Sequence, residues 1–185
     1  GAPGSGKSTV AKKIAKKLNW PRFYMGKIRR LKAKSMGLTL AEYNKLGETD
    51  PATDLELEQY VKCLPKKYKN FVIESRTAYH FIPQAIKIYI DVDEKIGAKR
   101  VFLELKRHSK RNEDVNLTSV QAVLKSHRQR QLSDKKRYKK YYNFDFSNKK
   151  NYDYILNTSS LDKKQVFDHV YRYIKKRLKR IDKIQ

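Results

Sequence analysis

The first eight residues have the composition of a phosphate-binding loop. They read Gly1-Ala2-Pro3-Gly4-Ser5-Gly6-Lys7-Ser8, satisfy the pattern G-x-x-x-x-G-K-[ST], and lead directly into a helical pattern. Glycine lets the backbone turn with its N–H groups pointing inwards, and these donors bind phosphate oxygens together with the positive end of the helix. Lys7 would contact the β- and γ-phosphates of a nucleoside triphosphate, and the Ser8 hydroxyl would ligate Mg²⁺. We therefore expect the loop and the adjoining Thr9 to bind the nucleotide and its metal.

Residue type and spacing predict alternating helices and strands after the loop. Val10, Ile14 and Leu18 recur at steps of four and predict a helix from about Lys7 to Leu18, and Thr39-Leu40-Ala41-Glu42 has the spacing of a capping box that starts another helix. β-Branched and aromatic residues predict short strands. The strands are expected at 20–24, 71–74, 86–92 and 153–157, and further helices throughout 27–66 and over 118–142 and 162–178. This alternation is typical of an α/β fold in which helices cover both faces of a parallel sheet, and the length predicts a single domain over residues 1–185.

A loop of this kind normally follows a buried strand, whereas this sequence opens on the first glycine of the loop. We expect the sheet to have five parallel strands, of which the first is missing from this chain.

Five short segments beyond the loop carry recognisable patterns in a fixed order. They are GKIRR at 26–30, DPATD at 50–54, FVIESR at 71–76, RQLSDKKRY at 130–138 and YILNTS at 154–159. Together with the loop they resemble the archaeal-type cytidylate kinases of the nucleoside monophosphate kinase family, over nearly the whole chain. The resemblance implies a three-layer αβα P-loop kinase with a helical acceptor-binding insertion at 27–66 and a short lid at 107–117. It also implies Mg²⁺-assisted transfer of a phosphoryl group from ATP to CMP or dCMP.

The same resemblance implies roles for individual residues. Arg30 and Arg76 fall on arginines that bind the acceptor phosphate, and Glu74 falls beside the pyrimidine. The other positions that it implies are Asp50, Arg130, Asp134 and Arg137 for the acceptor, Thr158 for ATP, and Arg107 and Arg111 for charge stabilisation from the lid.

Elementary chemistry agrees with several of these roles. Planar guanidinium groups bind phosphate bidentately, so separated arginines that converge are suited to a monophosphate. Arg130, Asp134 and Arg137 lie at i, i+4 and i+7 and share one helix face. That spacing is equally typical of an exposed ladder of ion pairs. The Glu74 carboxylate could accept the exocyclic amine of cytosine, which uracil lacks, or be a solvated charge at a strand end. Arg107 and Arg111 could equally belong to a solvated loop.

Three positions depart from the family pattern. Lys27 replaces an aspartate, Ser75 replaces the glycine before Arg76, and Tyr79 stands where glycine is usual. We expect Tyr79 to crowd the acceptor pocket, and all three to affect nucleotide preference more than reaction type.

The sequence has 44 Lys and Arg against 19 Asp and Glu, which gives a net charge of +25. A net charge of about 2–8 is enough to keep a small domain soluble. Besides small nucleotides, this charge predicts nonspecific contact with nucleic acid. It keeps two alternatives open: a P-loop kinase acting on a polynucleotide 5′ end, and a basic RNA-binding module with a vestigial loop.

Apolar runs and cysteines bear on the cellular setting. No apolar run approaches the about 20 residues of a membrane span. The single Cys63 excludes an intramolecular disulfide, which fits a reducing cytoplasm. We expect a cytoplasmic monomer, with no metal ligands among its scattered histidines.

Overall fold

Four short strands alternate with helices in the computed structural model, which describes residues 1–107 and 117–181. The strands are β1 (Arg22–Tyr24), β2 (Val72–Glu74), β3 (Ile88–Asp91) and β4 (Tyr154–Asn157). The helices are α1 (Lys7–Leu18), α2 (Met25–Ser35), α3 (Leu40–Leu46), α4 (Ala52–Lys67), α5 (Ala78–Phe81), α6 (Glu94–Arg107), α7 (Val120–Tyr142) and α8 (Lys163–Ile181), with a 3₁₀ turn at Lys149–Asn151. Most of the lid expected at 107–117, including Arg111, lies outside the described residues.

The described strands form two parallel pairs rather than one sheet. β1 pairs with β2, with Phe23 opposite Ile73, and β3 pairs with β4, with Ile90 opposite Leu156. β2 and β3 both border a large cavity, and Val72 of β2 and Ile88 of β3 form part of its apolar wall. The prediction of a continuous five-stranded sheet is therefore not confirmed, because in the described chain no ladder hydrogen bonds join the two pairs.

Helices α1 and α8 pack on the β3–β4 pair, and this packing fixes the position at which α1 begins. Val10 and Ile14 of α1 share a buried cluster with Ile90 and Leu156 of the sheet. Val166, Val170 and Ile174 recur at steps of four along α8 and complete this cluster. Because α1 is anchored in this way, the loop before it is held at the carboxyl ends of β3 and β4.

Helices α2 to α4 occupy residues 25–67 between β1 and β2. Thr39 caps α3 with the predicted capping box, in which its hydroxyl accepts from Glu42 N and the Glu42 carboxylate accepts from Thr39 N. A second core cluster, which includes Met25, Val61 and Ile82, packs against Phe23 of β1 and Ile73 of β2.

The helices of residues 1–107 and 117–181 differ in length and in apolar content. None of the helices there is long and apolar enough to cross a bilayer.

Candidate active site

The glycine loop wraps around the amino end of α1 with the backbone geometry that its sequence predicts. Gly4 and Gly6 have φ of 71° and 85°, left-handed values that a residue with a Cβ rarely adopts. Ala2 N donates to Ile90 O at 3.0 Å, and the buried Thr158 hydroxyl donates to Ser5 O at 3.2 Å. The loop is thus fastened to the carboxyl ends of both β3 and β4, where α/β proteins bind their ligands.

The ammonium group of Lys7 lies across the loop. Its Nζ donates to Ala2 O and lies 3.5 Å from Ser5 Oγ. Lys7 and Ser8 both line the cavity, together with Gly4 and Gly6. A cation and a hydroxyl at the amino end of a helix are the groups that a triphosphate and its magnesium ion require, so the residues present fit both.

Helix α6 supports the loop in a way that the sequence did not reveal. A Cβ on Gly97 would lie 2.6 Å from Pro3 O, so the helix backbone touches the loop directly. Arg100, one turn later, donates from Nη2 to Thr158 O at 2.8 Å and from Nη1 to the Thr158 hydroxyl at 3.2 Å. No motif marks Arg100, since its role depends on a partner 58 residues away.

Arg76, Arg30 and Glu74 line the same cavity as the loop. Arg30 donates from Nη1 to the Tyr24 hydroxyl at 3.1 Å and to Gly26 O at 2.8 Å. Glu74 closes β2, and its Oε1 accepts from Arg22 Nε at 2.7 Å. The second oxygen, Oε2, is buried and has no hydrogen-bond partner in the described chain.

Asp134 and Arg137 are fully buried, so the predicted polar face of α7 points into the protein. Arg137 donates from Nη2 to Asp134 Oδ1 at 2.7 Å and from Nε to Asp54 Oδ2 at 2.8 Å. Arg29, next to the predicted Arg30, donates to the other oxygen of Asp54 at 2.6 Å. The exposed ion-pair ladder that the spacing also allowed is therefore wrong for Asp134 and Arg137. Neither of them lines the described cavity.

The remaining candidate residues are more dispersed. Arg130 and the exposed Arg107 line the cavity. Asp50 accepts from Ala52 N at 2.9 Å and so caps the start of α4. Arg76 retains its charge near neutrality, although burial and the nearby Arg137 lower its pKa to about 10.

The departures at 75 and 79 have local explanations. Ser75 Oγ accepts from Thr77 N at 3.0 Å and from Ala78 N at 3.1 Å, and so caps the short α5. The Tyr79 ring packs against Tyr152 and Phe144, with centroids 5.2 and 5.5 Å apart. The expectation that Tyr79 crowds the pocket is wrong, because it belongs to an aromatic cluster and is not among the described residues that line the cavity. Lys27 is exposed at the cavity edge.

A buried carboxyl group ties α4 to the loop that carries Arg76. Glu58 is 2% exposed, and its Oε2 accepts from the Thr77 hydroxyl at 2.7 Å. Burial raises the pKa of Glu58 to about 7, and the Thr77 hydrogen bond opposes that rise. No sequence motif contains Glu58, so this role could not be predicted from the sequence.

This raised pKa predicts how stability depends on pH. The folded protein holds the Glu58 proton more tightly than the unfolded chain does. The contribution of this proton to the free energy of unfolding is therefore complete below about pH 4.5 and is lost as the pH rises through 7. In urea unfolding, the free energy of unfolding of the wild-type protein is expected to be lower at pH 8 than at pH 5. Glu58→Gln should make this difference smaller by about 2–3 kcal/mol. Equal pH dependence in the two proteins would contradict the assignment.

Comparison with known proteins agrees with this geometry. The AAA domain family matches residues 1–121, which makes the chain a P-loop domain of that family. Cytidylate kinase from Methanocella arvoryzae is 33% identical, and the match covers 94% of this chain and 93% of the relative. Cytidylate kinase from Archaeoglobus fulgidus is 32% identical, with 98% and 96% covered. Cytidylate kinase from Halobacterium salinarum is 34% identical, with 86% and 78% covered.

The fold also matches a solved structure. The crystal structure of an uncharacterized protein from Eubacterium ventriosum superimposes with a TM-score of 0.65, covers 93% of this chain and 92% of its own, and is 19% identical. The chain therefore has the αβα fold of P-loop kinases. It belongs to the cytidylate kinase family and is a nucleoside monophosphate kinase, a phosphotransferase.

Proposed function

We propose that this enzyme transfers the γ-phosphoryl group of Mg-ATP to CMP or dCMP. The observation that carries the proposal is that the phosphate-binding loop, Arg76 and Glu74 line one cavity. The relatives named above are cytidylate kinases, which favours a nucleotide acceptor over a polynucleotide end or an RNA-binding module.

The reaction requires positioning more than covalent help from the protein. An oxygen of the acceptor phosphate forms the new bond to the γ-phosphorus while the bond to the bridging oxygen breaks, giving CDP and ADP. The attacking oxygen is already anionic, so no general base is needed. Lys7 and the loop amides would hold the donor phosphates, and Arg76 and Arg30 would hold the acceptor. Ser8 would hold Mg²⁺, which neutralises charge that develops between the phosphates. Arg107 would add positive charge from the end of α6.

Product analysis tests this assignment. The enzyme with ATP, Mg²⁺ and CMP is expected to yield CDP and ADP in equal amounts. ADP without CDP would indicate hydrolysis and contradict the proposal.

Glu74 supplies a physical basis for choosing cytosine. Its second oxygen is buried and unpaired in the described chain, while Arg22 holds the first. A carboxylate there can accept the cytosine amine, whereas uracil presents the acceptor O4 at the same position.

A substitution at Glu74 should change this choice. Glu74→Gln keeps the shape and one oxygen for Arg22, yet adds an amide donor that suits uracil. We expect the ratio of kcat/KM for CMP to that for UMP to fall about 10–100-fold. Glu56→Gln on the exposed face of α4 is the matched control. An unchanged ratio in Glu74→Gln would show that Glu74 does not contact the pyrimidine base.

The sheet is proposed to be continuous, with a fifth strand between β2 and β3. The support is the cavity between them, which is walled by apolar residues of both strands.

Nonspecific contact with nucleic acid is proposed for the outer face of α1 and α8. Asp168 is the one acidic residue within these two helices. The exposed cations of this face are Lys12, Lys13, Lys16, Lys17, Lys163, Lys164, Arg172, Lys175, Lys176, Lys179 and Arg180. Single-stranded RNA should therefore bind with a steep salt dependence and without competition from CMP.

We also propose that the protein is a cytoplasmic monomer.

A further inference from the structure

Two hydroxyl groups flank Arg76 in the turn between β2 and α5. Ser75 Oγ accepts from Thr77 N at 3.0 Å and from Ala78 N at 3.1 Å, and it lies 3.0 Å from Thr77 Oγ1. The Thr77 hydroxyl in turn donates to Glu58 Oε2 of α4 at 2.7 Å. These hydroxyl groups thus connect the backbone that follows Arg76 to a carboxyl group on a separate helix.

The number of protons fixes the direction of each of these bonds. A hydroxyl group has one proton to donate and two lone pairs with which to accept. Because the Thr77 proton goes to Glu58, Thr77 Oγ1 is left to accept the proton of Ser75. Ser75 Oγ then donates once and accepts from two backbone N–H groups, which uses its full capacity. All the bonds therefore run from the backbone through Ser75 and Thr77 to Glu58, and bonds aligned in this way strengthen one another.

Burial makes this relay of Ser75, Thr77 and Glu58 sensitive to the loss of any member. Thr77 and Glu58 are each 2% exposed, so a broken bond would leave a polar group unpaired away from water. The relay therefore favours one conformation of the turn. Arg76 lies between its two hydroxyl residues and lines the cavity. Glycine, which the family pattern has at position 75, carries no hydroxyl group and could not complete the relay.

We propose that Ser75, Thr77 and Glu58 are positioning residues, which fix the turn between β2 and α5 and so direct Arg76 towards the acceptor phosphate. This assignment rests on the proposed function. Because the relay acts through Arg76, its effect falls on the phosphate of the acceptor and leaves the binding of the nucleoside and of ATP unchanged.

Amide hydrogen exchange tests the relay without any nucleotide. Glu58→Leu removes the final acceptor at similar size, so Ser75 and Thr77 lose their fixed orientation. We expect exchange of the Thr77 and Ala78 amide protons to become at least about 10-fold faster. The matched control is Glu56→Leu on the exposed face of the same helix, which should leave both rates within about 2-fold of wild type. Exchange that Glu58→Leu does not accelerate would overturn the proposal.

Calorimetric binding of CMP and of cytidine, which lacks the phosphate, tests the link to Arg76. Glu58→Leu and Thr77→Val should each weaken CMP binding about 10-fold and change cytidine and ATP binding by less than about 2-fold. The double variant should bind CMP within about 2-fold of the weaker single variant, because both substitutions break the same bond. Glu58→Gln and Thr77→Ser keep the acceptor and the donor, so each should bind CMP within about 2-fold of wild type.

Other roles for these residues give different patterns. If Glu58 or Thr77 contacted the nucleoside, cytidine and CMP would lose affinity equally. If the charge of Glu58 mattered instead of its hydrogen bond, Glu58→Gln would be as impaired as Glu58→Leu. Either pattern overturns the proposal, and so does CMP binding that Glu58→Leu and Thr77→Val leave unchanged.

The midpoint of thermal unfolding shows whether each variant is folded. Should Glu58→Leu fail to fold, the same exchange and binding measurements on Thr77→Val decide. Failure of the proposed function has a separate signature, namely wild-type protein that binds CMP no better than AMP. Faster amide exchange in Glu58→Leu together with that result would refute the proposed function and not the relay.

Discussion

Replacement of Lys7 by alanine is expected to lower kcat with Mg-ATP and CMP by about 10²–10³-fold. The Lys7 ammonium lies across the loop beside Ala2 O and Ser5 Oγ, within the cavity where the donor phosphates would lie. Other cations line the same cavity, but Lys7 lies directly against the phosphate-binding loop, so we expect its loss to have a large effect on charge at the donor phosphates. Steady-state rates of ADP release measure the change.

The matched control is Lys12→Ala in the same helix. Lys12 is exposed on the outer face of α1 and does not line the cavity in the described structure. Its replacement should leave kcat within about 2-fold of wild type, as is usual for surface changes. Comparable activity of the Lys7 and Lys12 variants would show that the loop does not bind the reacting phosphates.

Substitution of Asp54 by asparagine is expected to lower the free energy of unfolding by about 3–5 kcal/mol. Asp54 is fully buried, and its two oxygens accept from Arg29 and Arg137 at 2.6 and 2.8 Å. Removal of its charge leaves two buried guanidinium groups with less compensation, while the side chain keeps its size. Urea unfolding at neutral pH gives the difference.

A surface ion pair between α4 and α2 provides the comparison. Glu56 is 74% exposed and pairs with Lys32 at 2.8 Å. Glu56→Gln should change the free energy of unfolding by less than about 1 kcal/mol, because water and salt screen this pair. If Asp54→Asn were no more destabilising than Glu56→Gln, the buried network would not hold α2, α4 and α7 together.

Features encoded by neighbouring residues could be predicted from the sequence. The helix expected over 7–18 is observed as Lys7–Leu18, and the capping box at Thr39 is present. Both depend on residues within one or two helical turns, so the local pattern contains the information. The loop motif is equally local, and its glycines at 4 and 6 adopt the left-handed conformation that the motif requires.

Features that depend on distant partners could not be predicted. The spacing of Asp134 and Arg137 correctly placed them on one helix face, but spacing does not say whether that face meets a ligand or other helices. The answer depends on Asp54, 83 residues from Arg137. The same is true of Arg22, which holds Glu74 from 52 residues away, and of Tyr79, whose aromatic neighbours come from the segment after α7.

The most direct test is a comparison of acceptors under one set of conditions. ADP release by the enzyme with Mg-ATP should be measured with CMP, dCMP, UMP, AMP and no acceptor. We predict that CMP and dCMP stimulate turnover at least about 10-fold more than UMP or AMP do, as one lost base contact requires. Equal stimulation by all four monophosphates, or by none, would contradict a cytidine-specific kinase built on Glu74 and Arg76.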